Sequence, residues 1–222
     1  MAEAIASAPV APQAIVFGAS GHGLAVRDVL VRAGWHIVAL VDPRPEIGDG
    51  SHAVPILRSD DEGRRAALEG SLAAVVAIGD NDRRLALIRS LLAAGVRVPA
   101  VVARTATVAD DAELGAGTIV MEHAHVGPRS ELGAGCLINT HAVVEHEGRL
   151  GDGVHVAPSA SLGGAVVCGA GSLIGAGAVV LPLMRVGARA VVAAGAVVTR
   201  AVGDASIVAG VPARSVGTHE AA

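Results

Sequence analysis

Aliphatic residues recur at every sixth position between Val108 and Val198, and the phase of this pattern never slips. Of the sixteen positions in the series, all are Val, Leu or Ile except Cys168. A second position, four residues after each aliphatic one, is mostly Ala, Ser, Thr, Cys or Gly. An α-helix repeats every 3.6 residues and a strand every two, so neither accounts for a period of six. A hexapeptide repeat is instead typical of a β-helix.

Three such hexads predict one coil of a three-sided prism, about eighteen residues long. The aliphatic side chain then points into the prism, and the small residue fits the narrow space near a corner. We therefore predict a left-handed parallel β-helix over residues 106–203, followed by a C-terminal tail at 204–222. A chain rich in Ala, Gly and Val could match the period by chance, but sixteen hexads in phase argue against that alternative.

The pattern before Val108 is different and alternates short apolar runs with amphipathic segments. The predicted strands cover 14–17, 36–41, 72–78 and 96–102, and the predicted helices cover 24–33 and 82–94. The polar segment 43–68 is predicted to be loop with a short helix. This order indicates an α/β domain with a small parallel sheet, Rossmann-like, over residues 14–105, preceded by a loose tail at 1–13.

Composition removes several classes of function. The net charge of −4 gives no basic surface for nucleic acid, and Phe17 and Trp35 are the only aromatic residues. No apolar run is long enough for membrane insertion, and the N-terminus lacks the features of a signal peptide. Cys136 and Cys168 both fall on inward positions, which favours reduced core thiols in a cytoplasmic protein over a disulfide.

A glycine-rich turn, Gly18-x-x-Gly21-x-Gly23, stands between the first predicted strand and helix. A helix N-terminus offers free N–H groups to a phosphate, and ligands of open α/β sheets bind at the carboxyl ends of strands. Three features meet at that edge: the turn at 20–22, Asp42 and the segment 79–81. We predict a nucleotide or nucleotide-sugar site there. The alternative is a tight turn and an ordinary Asp at a strand end, because the spacing differs from the dinucleotide motif.

His146 and Glu147 occupy a predicted prism corner and point outward. A neutral histidine is a suitable general base near pH 7, and an adjacent carboxylate raises its basicity and holds its tautomer. Gly164 lies one coil above, where its N–H could face a developing oxyanion. The alternative is that these are solvated turn residues.

A metal site is the other interpretation of these histidines. His141 and His146 have the five-residue spacing of the zinc ligands in prism-fold hydratases that resemble γ-class carbonic anhydrases. The third histidine of such a site would fall at position 105, which is Thr105. We therefore expect no metal.

Taken together, the motifs resemble those of bacterial nucleotide-sugar acetyltransferases of the NeuD-like family, which includes sialic-acid O-acetyltransferases and the bacillosamine- and perosamine-type N-acetyltransferases. The resemblance runs from Ala14 to Val216. The motifs that carry it are Phe17-Gly-Ala-Ser-Gly-His-Gly23, Ala77-Ile-Gly-Asp-Asn81, Ile138-Asn-Thr140, Val144-Glu-His-Glu147, Gly151-Asp-Gly-Val-His-Val-Ala-Pro158 and Val208-Ala-Gly-Val-Pro-Ala-Arg214. Relatives often enter the prism through a His-Pro-Ser-Ala-like turn, where this chain has Ala103-Arg-Thr-Ala106.

The resemblance implies a homotrimer with active sites between neighbouring prisms, acetyl-CoA as co-substrate and a nucleotide sugar as acceptor. It implies His146 as the base and Glu147 as the partner that increases its basicity. The implied acetyl-CoA contacts are His155, Gly164, Ala176, Ala194, Pro212 and Arg214. The implied nucleotide-sugar contacts are Ser20, Gly21, His22, Asp42, Gly79 and Asn139.

The expected reaction is acetyl transfer to the amino group of a nucleotide-linked deoxyamino sugar, with direct attack on the thioester. O-acetylation of a free sugar such as sialic acid is an alternative, which nucleotide binding would exclude. A non-catalytic trimeric scaffold is another, which CoA binding would exclude.

Overall fold

The computed structural model describes residues 11–44, 46 and 54–219. In the N-terminal domain, four strands form one parallel sheet in the order β3-β2-β1-β4. These strands are β1 (Gln13–Phe17), β2 (His36–Val41), β3 (Ile56–Leu57) and β4 (Ala73–Val76). The helices are α1 (Gly21–Arg32), α2 (Asp60–Glu69) and α3 (Asn81–Ala93). Most of the predicted tail at 1–13 lies outside the described residues.

The predicted strand at 96–102 is wrong over most of its length. Only Val101–Val102 is extended, and this strand, β5, pairs with Ile119–Val120 of the prism instead of the N-terminal sheet. One hydrogen bond, from Ala74 N–H to Arg97 O at 2.9 Å, ties the segment to that sheet. Pro99 has no N–H to extend such a ladder. The short helix predicted within 43–68 corresponds to α2, which ends at Glu69, whereas the strand β3 in this segment was not predicted.

The prism has three faces, and every strand in it except the last runs parallel to its neighbours. Face 1 contains β5 (Val101–Val102), β8 (Ile119–Val120), β11 (Leu137–Ile138), β14 (His155–Val156), β17 (Leu173–Ile174), β20 (Val191–Val192), β22 (Ser206–Ala209) and β23 (Arg214–Thr218). Face 2 contains β6 (Thr107–Val108), β9 (His125–Val126), β12 (Val143–Val144), β15 (Ser161–Leu162), β18 (Val179–Val180) and β21 (Val197–Val198). Face 3 contains β7 (Glu113–Leu114), β10 (Glu131–Leu132), β13 (Arg149–Leu150), β16 (Val167–Cys168) and β19 (Arg185–Val186).

Partners in adjacent coils are eighteen residues apart, as in the pair Leu137 and His155. The predicted β-helix is thus confirmed as a fold class, although β5 and β22 extend it beyond residues 106–203 and into the predicted tail. We name each corner by the faces it joins: residues 145–148 belong to corner 2–3, residues 151–154 to corner 3–1 and residues 175–178 to corner 1–2, and each corner repeats every eighteen residues.

Every sixth residue from Gly117 to Gly195 has a left-handed backbone, with φ between 56° and 71°. Eight of these fourteen residues are not glycine, and Glu147 is one of them. A left-handed conformation is uncommon for such residues. Because it recurs at every corner, the φ of Glu147 belongs to the fold and is not a mark of the site.

The inward aliphatic residues form one continuous core, which includes both cysteines. Burial raises the pKa of the Cys136 and Cys168 thiols to about 12, so both stay protonated near neutral pH. Neither thiol is suited to act as a nucleophile. None of the helices described is long and apolar enough to cross a membrane.

The N-terminal domain packs on face 1 and corner 3–1. Outward-facing residues of face 1, such as Ile119 and Leu137, share one apolar cluster with the sheet of the N-terminal domain. At corner 3–1, a Cβ on Gly117 would lie 2.7 Å from Ile88 of α3, and one on Gly135 would lie 2.9 Å from it. Because Gly117 and Gly135 have no side chains, α3 can approach the prism closely at these two positions.

Candidate active site

His146, Glu147 and Gly164 lie together at corner 2–3. His146 Nδ1 is 3.0 Å from Glu147 Oε2, and the side chains are 53% and 44% exposed. A Cβ built on Gly164 would lie only 2.4 Å from His146 Nε2. The imidazole therefore rests against the backbone of the next coil, on a surface where only glycine leaves room for it.

The contact with Glu147 selects one tautomer of His146. A carboxylate only accepts hydrogen bonds, so Nδ1 carries the proton and Nε2 of the neutral ring keeps its lone pair. The second carboxylate oxygen, Oε1, is 3.1 Å from Nη2 of Arg129 on the coil below. Glu147 is thus held from both sides. This geometry suits a base that acts through Nε2, although the catalytic role of His146 stays a prediction.

A pocket lies at the carboxyl ends of β1, β2 and β4. It brings together three of the residues predicted to bind the nucleotide sugar, Ser20, Asp42 and Gly79. It is also lined by Gly18, Arg44 and Arg83, which were not predicted. We refer to it as the strand-end pocket. Gly21 is the first residue of α1 and does not line this pocket.

The N-terminus of α1 opens on the strand-end pocket without a side-chain cap. Ser20 is the N-cap residue and makes no capping hydrogen bond, and the first turn carries no acidic residue. In contrast, α2 and α3 are capped by Ser59 and Asp80. Gly18 is required here because a Cβ would lie 2.4 Å from Ala77 O. The free N–H groups of α1 suit an anionic ligand.

The carboxylate of Asp42 already accepts hydrogen bonds within the N-terminal domain. It accepts from Ala19 N–H at 3.0 Å and from the Arg44 side chain at 2.8 and 2.7 Å. The bonded Arg44 guanidinium holds the pKa of Asp42 at about 2, although burial opposes this. A ligand that enters the pocket therefore meets an Asp42–Arg44 pair instead of an isolated carboxylate.

His22, Asn139 and His155 form a second group, between the domains. Asn139 Nδ2 is 3.2 Å from His155 Nε2, and Asn139 Oδ1 accepts from Thr140 N–H. Burial, followed by the charge of Arg84 and the proximity of His22, lowers the pKa of His155 to about 4. Burial and Arg84 also lower the pKa of His22, whose Nε2 is buried and has no partner among the described residues. Both rings are neutral near pH 7.

A second cavity runs between the N-terminal domain and face 1, and we refer to it as the interdomain cleft. His155, Asn81 and Arg189 line it, and Arg189 makes a bidentate ion pair with Asp82 across it. Gly79 lines both this cleft and the strand-end pocket. The loop that follows β4 therefore lines both cavities.

The six residues predicted to contact acetyl-CoA do not form one cluster in a single chain. His155 lies in the interdomain cleft, and Gly164 lies at corner 2–3. Ala176 and Ala194 belong to corner 1–2, where Gly195 N–H donates to Ala176 O at 2.9 Å. Pro212 follows a cis peptide bond in the turn before β23, and Arg214 lines a separate pocket near the end of the prism.

The two predicted halves of the active site also lie on different edges of the prism. The strand-end pocket belongs to the domain that packs on corner 3–1, whereas His146 is at corner 2–3. None of the five main cavities in the described part of the chain is lined by both His146 and residues of the strand-end pocket.

Arg84 is the main residue of this region that the sequence analysis missed. It is fully buried between the domains and bonds to backbone carbonyls of both. The sequence spacing could have revealed it, because Arg84, Ile88 and Leu91 share the buried face of α3. A charged residue in an apolar helical stripe indicates a specific polar environment.

Comparisons with known proteins agree with this architecture. The family model for the PglD N-terminal domain matches residues 13–91. No curated protein matches the chain.

Three solved structures resemble the chain over most of its length. The acetyltransferase domain of PglB from Neisseria gonorrhoeae, in complex with acetyl coenzyme A, is 30% identical, with coverage of 93% of this chain and 100% of that one and a TM-score of 0.87. PerB from Caulobacter crescentus, in complex with CoA and GDP-perosamine, is 33% identical, with coverage of 92% and 97% and a TM-score of 0.84. WeeI from Acinetobacter baumannii is 26% identical, with coverage of 91% and 99% and a TM-score of 0.75. The chain therefore belongs to the NeuD-like family of nucleotide-sugar N-acetyltransferases with hexapeptide repeats.

Proposed function

We propose that this protein transfers the acetyl group of acetyl-CoA to the amino group of a nucleotide-linked deoxyamino sugar. The observation that carries the proposal is the arrangement at corner 2–3, where Glu147 holds His146 Nδ1 and leaves Nε2 against Gly164. The bound molecules of the similar PglB domain and of PerB, acetyl-CoA and GDP-perosamine, support the choice of substrates.

In this reaction the amine nitrogen attacks the thioester carbonyl directly. A bond forms between nitrogen and carbon, and His146 Nε2 accepts the amine proton. The carbon–sulfur bond then breaks, and the CoA thiolate takes the proton that His146 Nε2 accepted, which restores the neutral base. The Gly164 N–H, which donates no hydrogen bond within the described chain, stabilises the oxyanion of the tetrahedral intermediate. Direct attack fits a fold in which both cysteines are buried and protonated.

The strand-end pocket supports a nucleotide-linked acceptor over a free sugar. It combines the uncapped N-terminus of α1 with Arg44 and Arg83, which suit a diphosphate. Gly79 lines both this pocket and the interdomain cleft, which His155 also lines. The sugar would extend toward this cleft, where Asn139 contacts His155.

A homotrimer would complete the active site. Within one chain, His146 and the strand-end pocket lie on different corners, so His146 of one subunit must act on a substrate held by a neighbour. Ala176 and Ala194 at corner 1–2 would then contact acetyl-CoA between the two prisms, with Pro212 and Arg214 closing the far end. Light scattering should give a trimer; full activity of a monomer would refute this assembly.

The test of function is a panel of UDP-, GDP- and dTDP-linked amino sugars with acetyl-CoA, followed by release of the CoA thiol. One amino sugar should react, and calorimetry should show binding of its nucleoside diphosphate. The variant His146→Ala should lower kcat on the order of 10²-fold while CoA still binds. O-acetylation of a free sugar without any nucleotide binding would contradict the proposal, and so would near-normal turnover of the variant.

A further inference from the structure

The guanidinium of Arg84 uses all five of its N–H groups at the junction of the two domains. The residue has no exposed surface. The five acceptors are Gly135 O (2.8 Å), Gly153 O (3.0 Å), Ile78 O (3.0 Å), Gly79 O (3.0 Å) and Asn81 Oδ1 (2.8 Å). Two of them belong to the prism, two belong to the loop between β4 and α3, and Asn81 is the first residue of α3. No carboxylate of the described residues bonds to this cation.

The loop that Arg84 holds lines both cavities. Gly79 lines both the strand-end pocket and the interdomain cleft. Asn81, which accepts from Arg84, donates in turn to Gly171 O at 3.1 Å on the prism. The loop is therefore fixed to corner 3–1 on three successive coils, by Arg84 at Gly135 and Gly153 and by Asn81 at Gly171.

The direction of these hydrogen bonds has a consequence for the ligand. The C=O and N–H of a trans peptide point in opposite directions. Because the carbonyls of Ile78 and Gly79 point at Arg84, the N–H groups of Gly79 and Asp80 point away from it. Neither N–H donates to another group in the described part of the chain. Arg84 thus presents two free donors on the opposite side of the loop.

We propose that Arg84 is a positioning residue for the nucleotide-sugar substrate. Its hydrogen bonds to the loop turn the N–H groups of Gly79 and Asp80 toward the bound diphosphate-sugar. The inference rests on the proposed function, since it requires that the nucleotide sugar binds along this loop. The buried charge acts on the interdomain cleft as well, because it contributes to the lowered pKa values of His22 and His155.

The test compares two arginine substitutions on the same helix. Lysine in Arg84→Lys keeps the charge, but it offers three donors from one point and cannot span the loop and prism carbonyls together. Arg89 also joins the domains, through an exposed ion pair with Asp152 at 3.1 Å, but lines neither cavity. Arg89→Gln is therefore the matched control.

We expect Arg84→Lys to raise both the KM for the nucleotide sugar and the calorimetric Kd for its nucleoside diphosphate about tenfold or more, which corresponds to about 1.4 kcal/mol. The Kd for CoA should stay within about twofold of the unsubstituted value, as should all constants of Arg89→Gln. A merely structural role would instead lower the fraction of active protein and leave KM unchanged. That result would overturn the proposal, as would equal weakening of both ligands.

If circular dichroism shows that Arg84→Lys does not fold, Asn81→Ala tests the inference in its place. This variant removes one acceptor of Arg84 and the bond to Gly171, so nucleotide binding should weaken more than CoA binding. Unchanged nucleotide affinity would overturn the inference. Failure of the unsubstituted protein to bind any nucleoside diphosphate would instead overturn the proposed function.

Discussion

Replacement of Gly164 by alanine should disable His146 without disturbing the fold. The added Cβ would lie 2.4 Å from Nε2 and 2.5 Å from Cε1 of His146, whereas ordinary contact begins at 3.4 Å. The ring must therefore move by about 1 Å. Since Gly164 does not have a left-handed backbone, alanine adds no backbone strain there. A displacement of about 1 Å at a reacting group lowers a rate by roughly 10²-fold, or about 2.7 kcal/mol of transition-state stabilisation.

The assay is the steady-state release of CoA thiol with the nucleotide amino sugar in excess, together with thermal unfolding. We expect kcat to fall by the amount given above and Tm to change little, because the half-exposed His146 ring can move aside. Gly217→Ala is the control, since no atom lies within 4 Å of its added Cβ. In the double variant with His146→Ala, the loss should equal that of His146→Ala alone. An additive loss, or normal kcat in Gly164→Ala, would refute the reasoning.

Two further predictions concern stability and pH. Because the pKa of Asp42 is held at about 2 in the folded protein, its contribution to the free energy of unfolding is complete above pH 3.8 and is lost as the pH falls toward 2. Urea unfolding should therefore show a difference between the unsubstituted protein and Asp42→Asn that shrinks over this range; a constant difference would contradict the assignment. His155 is neutral down to about pH 4 when folded, but an unfolded histidine binds a proton near pH 6.5. The free energy of unfolding should accordingly decline as the pH falls from 6.5 to 4, and this decline should be less steep in His155→Gln. Parallel pH curves for the two proteins would contradict this contribution of His155.

The prism could be predicted from the sequence because its contacts are periodic. Each inward residue packs against others eighteen residues away, so the spacing of Val108 and its equivalents already encodes the fold. The same periodicity correctly predicted that His146 and Glu147 share a corner with Gly164. The glycine turn before α1 could also be recognised, because the glycines that form it lie close together in the sequence.

Contacts between the domains could not be predicted, because they depend on how two surfaces dock. Arg84 was overlooked because its partners are backbone carbonyls, which carry no signature in the sequence. Likewise, nothing in the spacing of His22 and His155 indicates that they lie close together. The strand predicted at 96–102 failed because apolar residues there serve both the N-terminal core and the first rung of the prism.

The antiparallel strand β23 closes face 1 at the C-terminal end of the prism. Every other coil offers a parallel edge that the next coil can extend, so an open end would be a template for another chain. β23 reverses the direction of the ladder over Arg214–Thr218, and all five of its residues are exposed. A further coil therefore cannot continue the parallel ladder of face 1 beyond β23. The same hairpin that surrounds the turn at Pro212 would thus keep a repetitive, self-complementary fold from growing end to end into fibres.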